Sequence, residues 1–263
     1  MGSARMFLVS CAAIVAAAMA GFGLHWLLPT AALAAANGII SAVVGLIASL
    51  LSIVLGLLVW TSYGQFTAQQ AQLQTIATTA IQFDFDLMAY GPEAAPARAL
   101  LREQVVHVHG RFWNGKEYGL LRPEAYGDLR DDADAMIAAL GRLRPANEEQ
   151  RGRLTDAQSN YGTFVETQAT MIRNLANRVP MLLLLVVLAW CCLLFLGYGL
   201  LAPFSALAAV AAILGATAVA TAILLILELT DPYSGLFRMP DAGFKTLINT
   251  LSATAKSKSA SAA

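Results

Sequence analysis

Charge is missing from long stretches of this sequence: no Asp, Glu, Lys or Arg occurs between Met6 and Val59, and none between Val179 and Leu227. Charged residues make up 13% of the 263 residues, where soluble domains average roughly 25%, so lipid must be part of the solvent. Cysteine is nearly absent as well. Cys11, Cys191 and Cys192 all sit in apolar runs, and the adjacent pair would face different sides of a helix. That spacing makes no metal site, and the three read as small core residues. A cationic patch is lacking too: net charge is zero, and the segment from Phe66 to Arg178 carries 12 basic against 14 acidic residues. Nucleic acid is therefore not an expected partner. No phosphate loop, Gly-x-Ser-x-Gly, metal tetrad or acid–base pair occurs in the apolar runs, so neither an enzyme nor a cofactor is expected.

What is present is four apolar runs. A helix needs about 20 apolar residues to cross a hydrocarbon core of ~30 Å. Met6–Leu28, closed by Pro29, supplies the first, Gly38–Trp60 the second, Met181–Leu201 the third and Phe204–Leu227 the fourth. The connections Pro29–Asn37 and Ala202–Pro203 are uncharged and short, which predicts two tight hairpins. Ala18-Met19-Ala20 before Gly21 has the pattern of a signal-peptidase site, as does Ala32-Leu33-Ala34, yet we expect the first run to be retained as a span. All 17 Lys and Arg lie in the N-terminal stub, the segment between the hairpins or the tail. Positively charged loops stay in the cytoplasm, so both termini and the central segment are expected there.

The second run carries small residues at Gly38, Ser41, Gly45, Ala48, Ser52 and, one step off register, Gly56. Intervals of three and four put them on one helix face. That face reads either as close helix packing, the usual use of small residues in lipid, or as a pore lining of hydroxyls and exposed backbone. Packing around an oligomer axis would satisfy both. The register continues through Ser62, Phe66, Gln69, Leu73, Ile76, Ala80, Phe83, Leu87 and Tyr90, and nothing breaks the helix before Gly91-Pro92. Leu154, Ala157, Tyr161, Phe164, Gln168, Met171 and Leu175 repeat in the same way towards Val179-Pro180. These two long helices are expected to pack antiparallel as a coiled-coil stalk, with helices Glu93–Trp113 and Pro123–Leu143 between them. Linkers Asn114–Arg122 and Arg144–Asn147 carry the turn residues. Beyond the fourth span, Phe244, Leu247, Ile248 and Leu251 form an amphipathic helix suited to the membrane interface or to docking on the central domain. The residues from Lys256 onward are expected to be disordered.

The fold class is thus an all-α membrane protein with four transmembrane helices in two hairpins and a cytoplasmic helical domain inserted between spans two and three. Residues 1–60 form the first hairpin, 61–179 the cytoplasmic domain, 180–229 the second hairpin, and 230–263 the amphipathic helix and tail. Two passages carry a resemblance. Asp86-Leu-Met-Ala-Tyr-Gly-Pro-Glu-Ala-Ala-Pro-Ala-Arg-Ala-Leu-Leu-Arg102 and Glu228-Leu-Thr-Asp-Pro-Tyr-Ser-Gly-Leu-Phe-Arg238 are similar to the helix-turn-helix and the ending of the bacterial bestrophin-like membrane proteins. The family's pattern places the acidic residue one step further from the proline than Asp231 stands from Pro232. The resemblance covers most of the chain and implies a bacterial inner-membrane location. Bestrophins proper are pentameric anion channels with the same order of spans, which implies a channel by fold analogy alone. No acidic calcium clasp and no aromatic neck after the small face carries over.

Other candidates have plainer readings. His107 and His109 diverge by about 200° on a helix and cannot share a metal, whereas Glu103, His107 and Arg111 would form a surface ladder at i, i+4. Asp84 with Asp86, and Asp131, Asp132 and Asp134, read as solvated helix faces. His25 beside Trp26 reads as an interfacial anchor. Glu228, the one acid at a span boundary, would pair with Arg178 or Arg238 or line a vestibule, and it opens a membrane-face turn of Asp231, Pro232, Tyr233 and Gly235. The expected function is a homo-oligomeric channel or pore for anions or small solutes, with lipid and further copies of the chain as partners. The alternative is a non-catalytic accessory or scaffold subunit of a larger membrane complex.

Overall fold

The computed structural model describes residues 2–114, 123–176, 181–230, 233 and 238–261, and every regular element among them is helical. In chain order these are α1 (Gly2–Leu27), α2 (Thr30–Tyr90), α3 (Ala95–His109), α4 (Pro123–Gly141), α5 (Glu148–Ala176), α6 (Met181–Leu201), α7 (Ala206–Thr230) and α8 (Ala242–Ser261). They form two compact units. Met1–Phe66 joins Val179–Phe237 in an apolar unit, and Thr67–Arg178 joins Arg238–Ala263 in a polar one. Among the described residues, four helices are long and apolar enough to cross a membrane: α1, α2, α6 and α7.

The 61 residues of α2 make one helix of about 90 Å at 1.5 Å per residue. It starts at Thr30, well before the Gly38 expected from sequence. Pro29 acts as a starting residue, its carbonyl accepting from the amides of Ala32 at 3.0 Å and Leu33 at 3.1 Å. The alanine-rich stretch after it is a strong helix former, so the connection shrinks to Leu28 and Pro29. At the other connection, the Ser205 hydroxyl accepts from the Ala208 amide at 3.1 Å and caps α7.

In the apolar unit α1 packs against both α6 and α7. Its core gathers Ile14 and Ala18 from α1, Val44, Leu51 and Leu58 from α2, Val187 and Cys191 from α6, and Ala216 and Ile226 from α7. The closest approach joins α1 to α6. A Cβ on Gly21 would meet the Leu196 carbonyl oxygen and lie 3.0 Å from the Gly199 Cα, and one on Gly199 would press on the Ala18 carbonyl. Ala18 and Gly21, read above as a candidate cleavage site, join the Phe22 amide on the α1 side of this contact. A Cβ on Gly197 would run into Val44 of α2. At the end of α1, Nδ1 of His25 lies 2.7 Å from the Leu200 carbonyl oxygen and ties the two helices again.

In the polar unit α2 and α5 run antiparallel. Gln150 donates to the Tyr90 carbonyl at 2.9 Å, Asn160 to Asp86 at 2.8 Å, and the rings of Phe83 and Tyr161 lie 5.3 Å apart. The expected seam is buried at Ile76, Ala80, Phe83, Leu87 and Tyr90 on α2, and at Ala157, Tyr161, Phe164 and Met171 on α5. It is not a two-helix stalk, however. Leu101, Val105 and Val108 of α3 and Met136 and Leu140 of α4 are buried as well, because those helices have apolar faces of their own to cover. Against the expectation of a disordered end, α8 runs to Ser261. Residues 115–122, Val179-Pro180, and Asp231, Pro232 and Gly235 of the expected membrane-face turn lie outside the described residues.

The α1–α6 contact yields a prediction. Gly199→Leu should overpack it and cost at least about 1–3 kcal/mol, read as a lower unfolding temperature in detergent, whereas Gly23→Leu, which has open space, should be neutral. Equal effects of the two would contradict this packing.

Candidate functional site

Helix α2 divides its apolar half into three faces. Val44, Leu51 and Leu58, seven residues apart, form the buried edge, with Ile40, Ile47 and Val54 packed beside them. At about 100° per residue, Gly45 and Ser52 stand roughly a quarter turn away, which puts the small residues on a face of their own. Ile39, Val43, Leu46, Leu50, Ile53 and Leu57 fill a bulky face that is also exposed. Gly38, Gly45 and Gly56 have nothing within 4 Å of where a Cβ would sit, and Ser41 and Ser52 are exposed. Only Ala48 touches the core of this chain. The small face is therefore not used for packing within the chain, which goes instead through Gly21, Gly197 and Gly199. Sequence reading missed those three because the spacing in span one and the Gly-Tyr-Gly of span three form no repeating stripe.

The hydroxyls on this helix are engaged locally. Ser49 donates to the Gly45 carbonyl at 3.0 Å, Ser52 to the Ala48 carbonyl at 2.9 Å, and Ser41 to Asn37 at 3.4 Å. Their outward-facing oxygens are left as acceptors. A solute that needs donors must turn these hydroxyls away from the helix.

The signature helix-turn-helix has a clear geometry. Gly91 adopts φ 134°, a conformation that side chains disfavour, and a Cβ there would lie 2.7 Å from a Glu93 carboxylate oxygen. The chain reverses, and Arg98 of α3 reaches back to Asp84 of α2 with two parallel bonds of 2.7 and 2.8 Å, both side chains buried. This corrects the reading of Asp84 as part of a solvated face. Asp86 points elsewhere, to Asn160 and, at 3.7 Å, to Arg153 of α5. Arg102, the other arginine of the motif, donates to the Leu251 carbonyl of α8 at 3.5 Å.

A second correction concerns the expected surface ladder. His107 and Arg111 turn towards Asp132 of α4, at 3.2 and 3.4 Å, and Arg111 also donates to Gln168 of α5 at 3.3 Å. Asp132 is the hub of this group, not a solvated carboxylate. Its carbonyl accepts from Gln104 at 2.5 Å and lies 3.3 Å from the Tyr161 hydroxyl, which is 3.1 Å from the Gln104 side-chain oxygen. Burial pushes the Tyr161 phenol well above its usual range, so it stays a donor. Asp134 pairs with exposed Arg130 one turn away. Among the described residues, no three His, Cys, Asp or Glu come together as metal ligands would.

Between the two settings considered for the C-terminal helix, the structure has it docked on α3. Phe244, Leu247 and Leu251 are buried. The π-helical turn Gly110–Asn114 after α3 places Trp113 between the stacked ring of His109 and that of Phe244, and its indole donates to the Met239 carbonyl at 3.0 Å. Arg238 donates to the Trp113 carbonyl at 2.8 Å, which accounts for one of the two cations considered for Glu228. The other, Arg178, lies outside the described residues. Glu228 and Tyr233 are themselves buried in the apolar unit, where burial pushes the Tyr233 phenol well above its usual range. Asp241 pairs with Lys245 at 2.7 Å and approaches His109 at 3.6 Å. Lys245 first, then His109, hold its carboxyl below the usual carboxylate range.

Compared with known proteins, residues 11–244 match a family model described as the Bestrophin-like domain. No curated protein and no solved structure matches the chain.

Two predictions follow from the polar unit. Arg98→Ala leaves Asp84 buried without its cation and should cost about 3–5 kcal/mol in denaturant unfolding, while the paired apolar replacement Asp84→Leu with Arg98→Met should recover most of it. An Arg98→Ala chain as stable as the parent would contradict the buried pair. Lys245 stands one turn away on α8 itself, so a carboxyl held low by it stabilises the first turn of that helix above its unfolded value, about 3.9, and loses that contribution as pH falls through the depressed one. Amide protection of α8 should thus be steady from neutral pH to about 5, fall below about 3.9, and be lower at neutral pH in Asp241→Asn. Identical protection in the two chains at neutral pH would exclude this contact.

Proposed function

The chain belongs to the bestrophin-like family, and on that premise we propose that it forms a homo-oligomeric membrane channel for anions or small solutes, with span two near the axis. One observation carries the reading: the Gly38–Gly56 face of α2 stands open while the close helix contacts of this chain are made elsewhere. Rotation about an axis normal to the membrane brings the same face of every copy to that axis. Glycine and serine there offer a moving solute backbone and hydroxyl groups with little bulk. On this reading the polar unit is a cytoplasmic vestibule, both termini are cytoplasmic, and the location is a bacterial inner membrane. The distribution of Lys and Arg supports that orientation.

A second reading, an accessory or scaffold subunit of a larger membrane complex, has its own support. The four apolar runs carry no charge, Glu228 standing just past the last, and conducting proteins commonly keep polar or ionisable groups inside the membrane. Ser49 and Ser52 also spend their protons on their own helix. Flux separates the two. In proteoliposomes, Ser41→Leu, Gly45→Leu and Ser52→Leu should each bring flux down to that of empty liposomes while the oligomeric mass is kept. Parent-level flux in all three rules out this lining, and an inert parent that co-purifies with a stoichiometric second protein favours the accessory reading.

A further inference from the structure

We propose that an apolar groove between α2 and α7 receives the first turns of α6 from a neighbouring copy, so that the contact between copies is heterologous. The inference rests on the homo-oligomeric reading above and names the surfaces that would build it. The groove encloses about 440 Å³ and is lined by Gly56, Val59, Trp60 and Tyr63 of α2 and by Leu225 and Leu229 of α7. The side chain that Gly56 lacks is part of the opening, since nothing lies within 4 Å of its Cβ position. Trp60 and Tyr63 are 73% and 54% exposed, so the walls stand out from the unit and are not folded back onto it. Gly56 also ends the small face, which makes the groove continuous with the surface assigned to the axis.

Depth limits the occupant. Rotation about the membrane normal keeps every residue at its own level, so a groove in one copy can be filled only by residues at that level in the next. Val44 of α2 lies against Gly197 of α6. Trp60 is as many residues beyond Val44 as Met181 is before Gly197, and successive spans run in opposite directions, so the start of α6 stands level with Trp60. There Met181, Leu182, Leu185 and Val186 are exposed large side chains. The groove belongs to α2 and α7 and the protruding residues to α6. Socket and knob then belong to different elements, the heterologous kind of contact that builds a ring when the rotation closes. In lipid, the gain comes from packing Leu182 and Leu185 against ring faces and into the space left by Gly56.

The test uses full-length chains with Cys11, Cys191 and Cys192 replaced by Ala. One tagged copy carries Tyr63→Cys and a differently tagged copy Leu182→Cys, both co-expressed and treated in membranes with a short bismaleimide. The expected result is a crosslinked species bearing both tags, absent when the second copy carries Tyr198→Cys at the other end of α6. A preparation with oligomeric native mass but no Tyr63–Leu182 adduct overturns the groove and leaves the oligomeric reading standing, whereas a monomeric mass removes both. Gly56→Leu fills the socket without a clash in its own chain and should shift the oligomer towards monomer in detergent. An unchanged oligomer, or a phospholipid retained per subunit by the parent and lost in Gly56→Leu with no change in assembly, overturns the proposal in favour of an acyl chain as occupant.

Discussion

Everything in the apolar unit depends on the backbone contact of Gly21 with Gly199. Helices in hydrocarbon gain little from burying apolar side chains, because lipid is as apolar as leucine. They associate where backbones can come close, and here α1 and α6 do so with no side chain between them. Gly197 then gives Val44 of α2 a seat on the same helix, and His25 closes the far end with a bond to the Leu200 carbonyl. With the chain's own cohesion met in this way, the longer stripe of small residues on α2 is left over, and a surface left over in one copy is available to others.

The polar unit obeys the opposite rule. Water drives Leu, Ile and Phe together, so its helices meet through bulky side chains, and its few buried charges need partners. Arg98 with Asp84 holds the reversal after Gly91, and Asp132 gathers groups from α3, α4 and α5. These contacts also explain the signature passage. Gly91 makes the turn, Arg98 locks it, and Arg102 reaches on to α8. None of them points to a reacting group. They fix how the helices of the polar unit pack on one another.

How much of this was legible follows from which signals repeat. A three-four spacing from Gly38 to Tyr90, off register only at Gly56, identified the long helix, and the same spacing from Leu154 identified its antiparallel partner. Charge-free runs of about 20 residues gave the four apolar helices. The spacing also marked the small face, but periodicity cannot say what a face touches, and the residues that hold the spans together sit in no stripe. Buried ion pairs were illegible for a related reason. Asp84 and Asp86 look alike in sequence, and only the chain reversal at Gly91 brings Arg98 to one of them. Helix α2 begins at Thr30, ahead of Gly38, because the alanines after Pro29 are strong helix formers that carry no apolar or small-residue stripe of their own.

The central claim is that the open face of α2 meets its own kind in further copies of the chain. Native mass spectrometry of the full-length protein in lipid discs tests it most directly. The account predicts one dominant closed species of four or more identical copies. A monomer, or a complex whose mass requires a different companion protein, would contradict it.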